Sequence, residues 1–485
     1  MEKLVCDLFL PGMTPLHRAD LGGLASTLRW IEKHAAPGDH PPGCWKVGER
    51  SITFEWKSGE ERQLLFDRLF SFAYKIEDGL IYLPGQYCGL APSLEVRAAL
   101  QEGLLLSFYD HGPTSRGKDA DTQVRTYEVD DKAVSFRFLP LAWYKHQRDG
   151  ASLFLQALEG DMEVTRTLFP GAIERHAGIT GTRVTCPAPL ALPLLFAPVG
   201  VLALKAGGKR VNDRGQRKFK PGAALLVPDF HNLSTVHYLL PALLPRSAQD
   251  CQVGNVADAA LQAELRLRSK ALLDPTAISA IRRIWCCPTD WNSRLQPPSF
   301  VTDIAIEAVN PRLDQFEIAM QALSPPAPRM NTKTGDYFWP RSYVRPLVAE
   351  NLASGKPWYK GFARLMIAQD PLNNKPIRDY LIMEKRGLHA MTQEISWDSS
   401  GEELMVRAVH EALRCRYGRI AAENMKNPAA MKNRMSGEYE RLRLAFSGAK
   451  TADLLRHALA DLWSRAGPNE VLREAWPQAL STAHQ

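Results

Sequence analysis

No run of apolar residues in this chain reaches the length of a membrane span. The longest, Pro189 to Leu204, is broken by three prolines and falls short of the roughly 20 residues a spanning helix needs. The opening residues, Met1-Glu2-Lys3-Leu4-Val5, mix charges ahead of a short apolar run and do not read as a secretion signal. The eight cysteines (Cys6, Cys44, Cys88, Cys186, Cys251, Cys286, Cys287, Cys415) contain no CxxC. The adjacent pair Cys286-Cys287 is badly spaced for a tetrahedral metal ion. Reduced, mostly buried thiols are expected. Low-complexity tracts and fixed-period repeats are also missing, and the composition, 45% apolar and 23% charged, is that of an ordinary globular protein. The expectation is a soluble cytoplasmic protein, long enough at 485 residues for two or three cores.

Catalytic signatures are equally scarce. There is no GxSxG elbow, and no cysteine sits in an electropositive helix-start setting with an evident histidine partner. His111 stands beside Asp110, but no second His-Asp pair or HxxxH spacing accompanies it, as a metal-dependent nuclease would require. His231 and His237 lack a helical ligand spacing and are expected to be partly buried and satisfied. Glu402-Glu403 reads as favourable charge in the first turn of a helix. No catalytic centre, metal or cofactor is expected.

What the chain does have is an uneven distribution of positive charge. It carries 60 Lys and Arg against 53 Asp and Glu, a net +7, and residues 330–485 hold 23 against 17, or +6 of that total. This last third follows the stretch Ser324-Pro325-Pro326-Ala327-Pro328 and reads as almost wholly helical. The fold expected is α+β: a mixed body over residues 1–323, a Pro-rich linker at 324–329, and an all-α helical bundle over 330–485. Strand patterns occur at Leu4–Leu10, Ser51–Trp56, Val199–Leu204 and Ala223–Val227, with a hairpin at Val124–Val129 and Val134–Leu139 joined through Asp130-Asp131-Lys132. Helical spacing covers Leu21–His34, Ser93–Leu106, Val256–Leu273 and Asp314–Leu323. These elements do not alternate as βαβ units, so a Rossmann arrangement is not expected. In the tail, helices are expected at Tyr343–Ala353, Trp358–Ala368, Ile377–Met391, Gly401–Met425, Ala429–Phe446 and Thr451–Arg465. Their short Gly- or Pro-containing joints suit an antiparallel bundle. Leu454, Leu455, Ala458, Leu459 and Leu462 form one apolar stripe that needs a partner helix. Met405, Ala408, Val409 and Ala412 form another, with Arg407, His410 and Arg414 opposite.

Three segments have the residue types of a polyanion contact. The stretch Lys205 to Lys220 holds seven basic residues and one acid in sixteen positions. Lys205, Lys209, Arg210, Arg214, Arg217 and Lys218 can neutralise phosphates, and Asn212 and Gln216 can read base edges. No GxxxxGK[ST] occurs there, so it is not a nucleotide-binding loop. It is either a solvated hairpin tip or a nucleic-acid contact, and the charge density favours the contact. A second segment, Tyr109 to Lys118, offers Arg116 and Lys118 and reads as a connector or as a loop that orders on nucleic acid. In the tail, Arg414, Arg416, Arg419, Lys426, Lys432 and Arg434 gather near Tyr417 and Tyr439. That is a basic corner over core tyrosines or a groove tracking a single strand by phosphate contact and stacking. Trp339, Trp358 and Tyr359 are expected in the core and lid of the bundle.

Several local phrases carry a family resemblance. They are Leu8-Phe9-Leu10-Pro11-Gly12-Met13-Thr14-Pro15-Leu16-His17-Arg18-Ala19, the His111-Gly112 turn, Leu226-Val227-Pro228-Asp229, and Gly355-Lys356-Pro357-Trp358-Tyr359. In these the chain resembles the large subunit of a type I CRISPR Cascade effector complex, in the compact version named for the Myxan subtype. The resemblance implies a non-catalytic subunit whose body recognises the protospacer-adjacent motif in duplex DNA, aids R-loop formation and recruits a helicase-nuclease. It implies as partners a guide CRISPR RNA, target double-stranded DNA and its displaced single strand, and the backbone and small subunits of Cascade, with no membrane. The tail would be similar to a small subunit, and Met330 is where an internal start for such a product is expected. Two other functions compete: a divergent metal-dependent nuclease or nucleotide-processing enzyme, and a scaffold that binds only proteins.

Overall fold

The computed structural model describes residues 2–36, 38–107, 121–163, 185–206, 209–211, 217–219, 222–271, 281–289, 302–305, 311–324, 327–331, 335–362, 365, 377–394, 400–470, 472–473 and 475. Strand β1 (Glu2–Asp7) is followed by α1 (Pro15–His34), the axis of the body. Thr14 caps this helix. Its hydroxyl accepts from the His17 N–H, and the His17 ring Nδ1 bonds back to the Thr14 hydroxyl at 2.8 Å. Pro15 occupies the first helical position, where its missing N–H costs nothing. Apolar spacing alone places the start at Leu21; the cap chemistry of Thr14-Pro15 moves it earlier. From Ala19 to Leu28 every residue of α1 is buried, so the helix is enclosed rather than one-sided. Such enclosure demands glycine. A Cβ on Gly23 would lie 2.6 Å from the Gly200 nitrogen, and one on Gly200 would overlap the Ala19 carbonyl.

β2 (Cys44–Val47) and β3 (Ser51–Trp56) pair with β1 in the antiparallel order β1-β3-β2, and Ile52, Phe54 and Trp56 alternate inward. Only the front of the expected strand Leu4–Leu10 is extended; residues 8–10 turn toward the helix cap. α2 (Gly59–Ala73) follows, and then the small pair β4 (Lys75–Glu77) and β5 (Leu80–Tyr82), α3 (Pro84–Tyr87) and α4 (Leu94–Leu105). The expected hairpin is β6 (Gln123–Val129) with β7 (Lys132–Phe138). Both turn residues, Asp130 and Asp131, have positive φ (48° and 60°), the backbone that a right-twisted two-residue hairpin requires. α5 (Lys145–Ala157) packs on α2 through an edge-on Phe66–Phe154 contact at 4.5 Å.

After the short pair β8 (Met162–Glu163) and β9 (Thr185–Cys186), the chain forms α6 (Ala188–Leu194) and α7 (Ala197–Gly200). The expected strand Val199–Leu204 is therefore partly helical, because Pro198 favours a helical first turn and cannot donate to a ladder. The strand itself, β10 (Leu202–Ala206), starts later. β11 (Lys209–Val211) and β12 (Arg217–Phe219) form a two-stranded ribbon, and the chain returns as β13 (Gly222–Phe230), buried from Ala223 onward. α8 (Val236–Leu243) and α9 (Val256–Ala271) follow. β14 (Ile281–Thr289) and β15 (Thr302–Ala305) then complete an antiparallel sheet in the order β10-β13-β14-β15.

α10 (Pro311–Leu323) leads to the segment expected to be a linker, and beyond it the chain stays with the body. β16 (Arg329–Met330) and β17 (Tyr337–Phe338) extend the β6–β7 hairpin into a four-stranded sheet. α11 (Arg345–Ala353) packs on α9 and α10. A buried ion pair holds it there. The Arg345 Nε donates to Asp258 at 3.0 and 3.2 Å, with exposures of 4% and 0% for the two side chains. Asp258 also accepts the Gly254 N–H and the Gln262 amide, while Asn255 donates to the Pro346 carbonyl. α12 (Ile377–Glu394) contributes Glu384, whose carboxylate accepts the Tyr343 and Val344 N–H groups at the start of α11. The chain accordingly divides into Met1–Lys360 with Ala368–Glu384, and Gly361–Ile367 with Lys385–Gln485. This division falls later than the expected boundary at 324–329, because ladder and ion-pair contacts outweigh a proline run. Met330 lies in β16, so a product starting there would carry elements that pack on the body.

The second unit holds α13 (Ser400–Glu423), α14 (Pro428–Gly448) and α15 (Ala452–Ala466). Ala408 and Ala412 of α13, Leu442 of α14, and Leu459, Leu462 and Trp463 of α15 form its core. The expected α15 stripe is buried at Ala458, Leu459 and Leu462, but Leu454 at its start is 49% exposed. His410, expected on the polar face, is half-buried and faces His389 with ring centroids 5.7 Å apart. Trp358 is buried in the first unit, where Asn351 donates to its carbonyl. Trp339 donates to the Tyr127 hydroxyl at 2.8 Å, also in the first unit rather than in the bundle.

Two predictions follow from the body's buried charges. Replacing Arg345 by Ala strands the Asp258 carboxylate in the interior and is expected to cost about 3–5 kcal/mol, read by urea unfolding; a loss below ~1 kcal/mol would mean the pair is dispensable. The second concerns Asp20, fully buried in α1, whose oxygens have no hydrogen-bond partner among the described residues. Burial disfavours its charged form and pushes its pKa well above the ordinary value of 3.8. The folded chain therefore keeps a proton that the unfolded chain releases, and stability falls as pH rises above that value. Asp20→Asn is expected to melt higher than the parent at neutral pH, with the gap closing toward about pH 4.

Candidate nucleic-acid interface

The basic segment Lys205–Lys220 is rooted in the second sheet. Lys205 lies near the end of β10, opposite Ala223 of β13, and its Nζ pairs with the Glu102 carboxylate of α4 at 2.5 Å. The α4 backbone is close enough at this point that a Cβ on Gly103 would overlap the Ala203 carbonyl. The ribbon beyond sets Lys209 opposite Phe219, Arg210 opposite Lys218 and Val211 opposite Arg217. Asn212, Arg214 and Gln216 lie outside the described residues, as do the side chains of Lys209, Arg210, Arg217 and Lys218. Arg116 and Lys118 also fall outside, in residues 108–120. That segment follows α4, the helix whose Glu102 holds Lys205. Lys205 itself is held by an acid, which the basic count of the segment did not reveal.

The opposite end of β13 joins two phrases distant in sequence. Arg18 grips Asp229 with two bonds, Nε to Oδ1 at 2.5 Å and Nη2 to Oδ2 at 3.2 Å. His231 reaches the same carboxylate at 3.6 Å. Phe9, at the tip of the turn before α1, is 53% exposed, with the Arg50 guanidinium 5.5 Å from its ring and the His231 ring 5.9 Å away. Both phrases carry the family resemblance, and the only local sign of their pairing is a cation in one and an anion in the other. His237 accepts from Arg29 through Nδ1 at 3.0 Å, and burial, with Arg29 and Lys33 nearby, keeps it below its ordinary value.

In the second unit the six basic residues of the expected corner are largely engaged. Arg414 pairs with Glu411 at 2.7 Å, Arg416 with Glu438 at 3.3 Å and Arg434 with Glu423 at 3.1 Å. The Arg419 guanidinium lies over Gly467, which follows α15. Lys426 and Lys432 are exposed. Glu438, 7% exposed, is the hub of a network that takes Arg416, Arg441 and Arg465, while Arg441 also holds Asp461. Tyr417 borders this hub and is pushed up by burial, with Glu438 and Tyr439 adding to the shift. The neutralising acids sit three positions along one helix or on a neighbouring helix, so a count of nearby arginines overstates the free charge.

Among the described residues no three His, Cys, Asp or Glu converge as metal ligands. No described helix is long and apolar enough to cross a membrane. Cys6, Cys186 and Cys251 are buried, and burial pushes each thiol up to about 12.

Residues 5–195 match the family model of the DevT N-terminal domain, and residues 393–485 match that of the DevT C-terminal domain. The chain is 35% identical to the CRISPR-associated protein Cas8a1/Csx13 of Myxococcus xanthus (strain DK1622), over 98% of its own length and 84% of the relative's.

The bundle's charge network predicts acid sensitivity. Burial works against ionisation of Glu438, but bonds from Arg441 and Arg416 outweigh it and hold the carboxyl below 4.5; Arg441 chiefly holds Asp461 below 3.8. Their stabilisation is present above those ordinary values and is lost as pH falls through the lower folded ones. Calorimetry from neutral pH to about pH 3 should show a steeper loss of bundle stability in the parent than in Glu438→Gln. Parallel curves would remove Glu438 as the acid-labile element.

Proposed function

The chain belongs to the Cas8a1/Csx13 family of CRISPR-associated proteins, a Cascade large subunit, and from that premise we propose that it is the DNA-reading, non-catalytic subunit of an RNA-guided complex. Its body recognises the short protospacer-adjacent motif in duplex DNA and helps to open the duplex, while pairing with guide RNA supplies the sequence specificity. The helical unit lies along the displaced strand beside the small subunits. Strand cleavage falls to a recruited helicase-nuclease.

One observation carries the assignment of the duplex contact to Lys205–Lys220. The ribbon register sets Arg210 opposite Lys218, and like charges directly opposite are destabilising in a bare strand pair. A polyanion relieves that repulsion. The hydrophobic sheet behind it gives the ribbon a rigid base, and Glu102 orients Lys205 at its root. Arg116 and Lys118 form the second contact proposed, and Lys426 and Lys432, exposed and without an ion pair among the described residues, the third.

The decisive experiment is co-expression with the neighbouring genes and a guide array, then pull-down on this chain. RNA of uniform guide length recovered with several copies of a backbone protein is the expected outcome; a chain free of both would overturn the reading. Within the complex, alanine at Lys209, Arg210 and Arg214 should weaken duplex binding and reduce the log–log salt slope by about one unit per lost phosphate contact. Unchanged affinity and slope would reduce the ribbon to a solubility device.

A further inference from the structure

The carboxyl-terminal half of α1 ends in a surface assembled from three separate segments. Trp30 and His34 stack with centroids 5.1 Å apart, and the Lys75 ammonium lies 5.3 Å from the Trp30 ring. Arg29, on the adjoining side of α1, donates to the Leu233 carbonyl at 2.9 Å and to His237 Nδ1. It thereby fixes the start of α8. That start presents Tyr238, 55% exposed, with its ring 3.8 Å from the His237 ring. Lys33 is exposed and lies near His237, with no ion-pair partner among the described residues. The one acid on this stretch of α1, Glu32, accepts from the Trp45 indole N–H at 2.8 Å and keeps its charge, which also acts on Arg29.

We propose that Arg29, Trp30, Lys33, Lys75, His237 and Tyr238 form a binding site for single-stranded nucleic acid, separate from the basic ribbon. Exposed Tyr238 offers a face on which a base stacks, Lys33 beside His237 supplies a charge for a neighbouring phosphate, and Lys75, held at the Trp30 ring, supplies a second. The ring of Tyr238 is pre-positioned, because Arg29 holds the preceding turn through carbonyl oxygens and an imidazole rather than through mobile surface contacts. Among the described residues of this surface no helix or ribbon projects to enter a groove. Guide RNA and displaced DNA present the same stacked bases and phosphates, so the site is defined by single-strandedness. This inference rests on the proposed function, since it names one further contact of an RNA-guided subunit.

The test uses the full chain, labelled oligo-uridine and oligo-thymidine of about eight nucleotides, and a labelled duplex, by fluorescence anisotropy. Tyr238→Ala and Lys33→Ala together should weaken single-strand binding about tenfold and leave duplex binding and melting unchanged, while Tyr238→Phe keeps parental affinity. The ribbon variants should do the converse. A preference between the two oligonucleotides identifies which strand occupies the site. Single-strand affinity unchanged in a well-folded double variant overturns the site while leaving duplex recognition standing. Loss of duplex binding by the parent chain, with Tyr238-dependent single-strand binding retained, would instead sink the wider functional reading and keep the site.

Discussion

The buried pair of Asp258 and Arg345 is the constraint on which the architecture of the larger unit turns. It joins α9, in the middle of the chain, to α11, beyond a proline run that otherwise looks like a hinge. Both charges have left water, a cost that only near-complete hydrogen bonding offsets. Asp258 has that in Arg345, Gln262 and the Gly254 N–H, and Arg345 also reaches the Gln252 carbonyl and the Ser324 hydroxyl. Because either partner alone is far worse than neither, the pair enforces that α11 returns to the body. The β16–β17 addition to the β6–β7 sheet and the capping of α11 by Glu384 secure the same segment at either side.

Electrostatics is used differently in the two units. In the body most of the apolar packing surrounds α1, and charges that matter are few and placed at ends of elements: Arg18 with Asp229 at one end of β13, Lys205 with Glu102 near the other. In the bundle, arginines and acids are woven between helices whose apolar contact is modest; α14 buries only Glu438 and Leu442. There the ion pairs substitute for a broader hydrophobic seam. A basic helical tail thus has less unpaired positive charge than its composition suggests, since Arg414, Arg416, Arg434 and Arg441 each hold an acid.

The α+β body, the bundle and the β6–β7 turn were legible because each rests on local rules: periods of 2 and 3.6, and a turn whose backbone demands φ above zero. Starts set by cap chemistry were harder. α1 begins at Pro15 because of Thr14 and His17, while its apolar pattern becomes dense only at Leu21. The strand expected from Val199 gave way to a helical turn at Pro198. The basic ribbon was recognised by charge density alone, and its register was not, since three-residue strands carry no usable alternation.

By itself the sequence determined the class of fold, the uneven charge, the shortage of catalytic groupings and, through its phrases, the Cascade resemblance that the Cas8a1/Csx13 match bears out. These are properties of residue type and spacing along one dimension. Only the tertiary structure decided which charges are spent on each other. It brought Arg18 to Asp229 across more than two hundred positions, and Arg345 to Asp258. It likewise set Lys75 at the Trp30 ring and the turn before α8 on Arg29, from segments that share no pattern. The reason is physical: an ion pair or a stacking surface is a matter of distance in space, and spacing along a chain constrains that distance only within a single helix or hairpin.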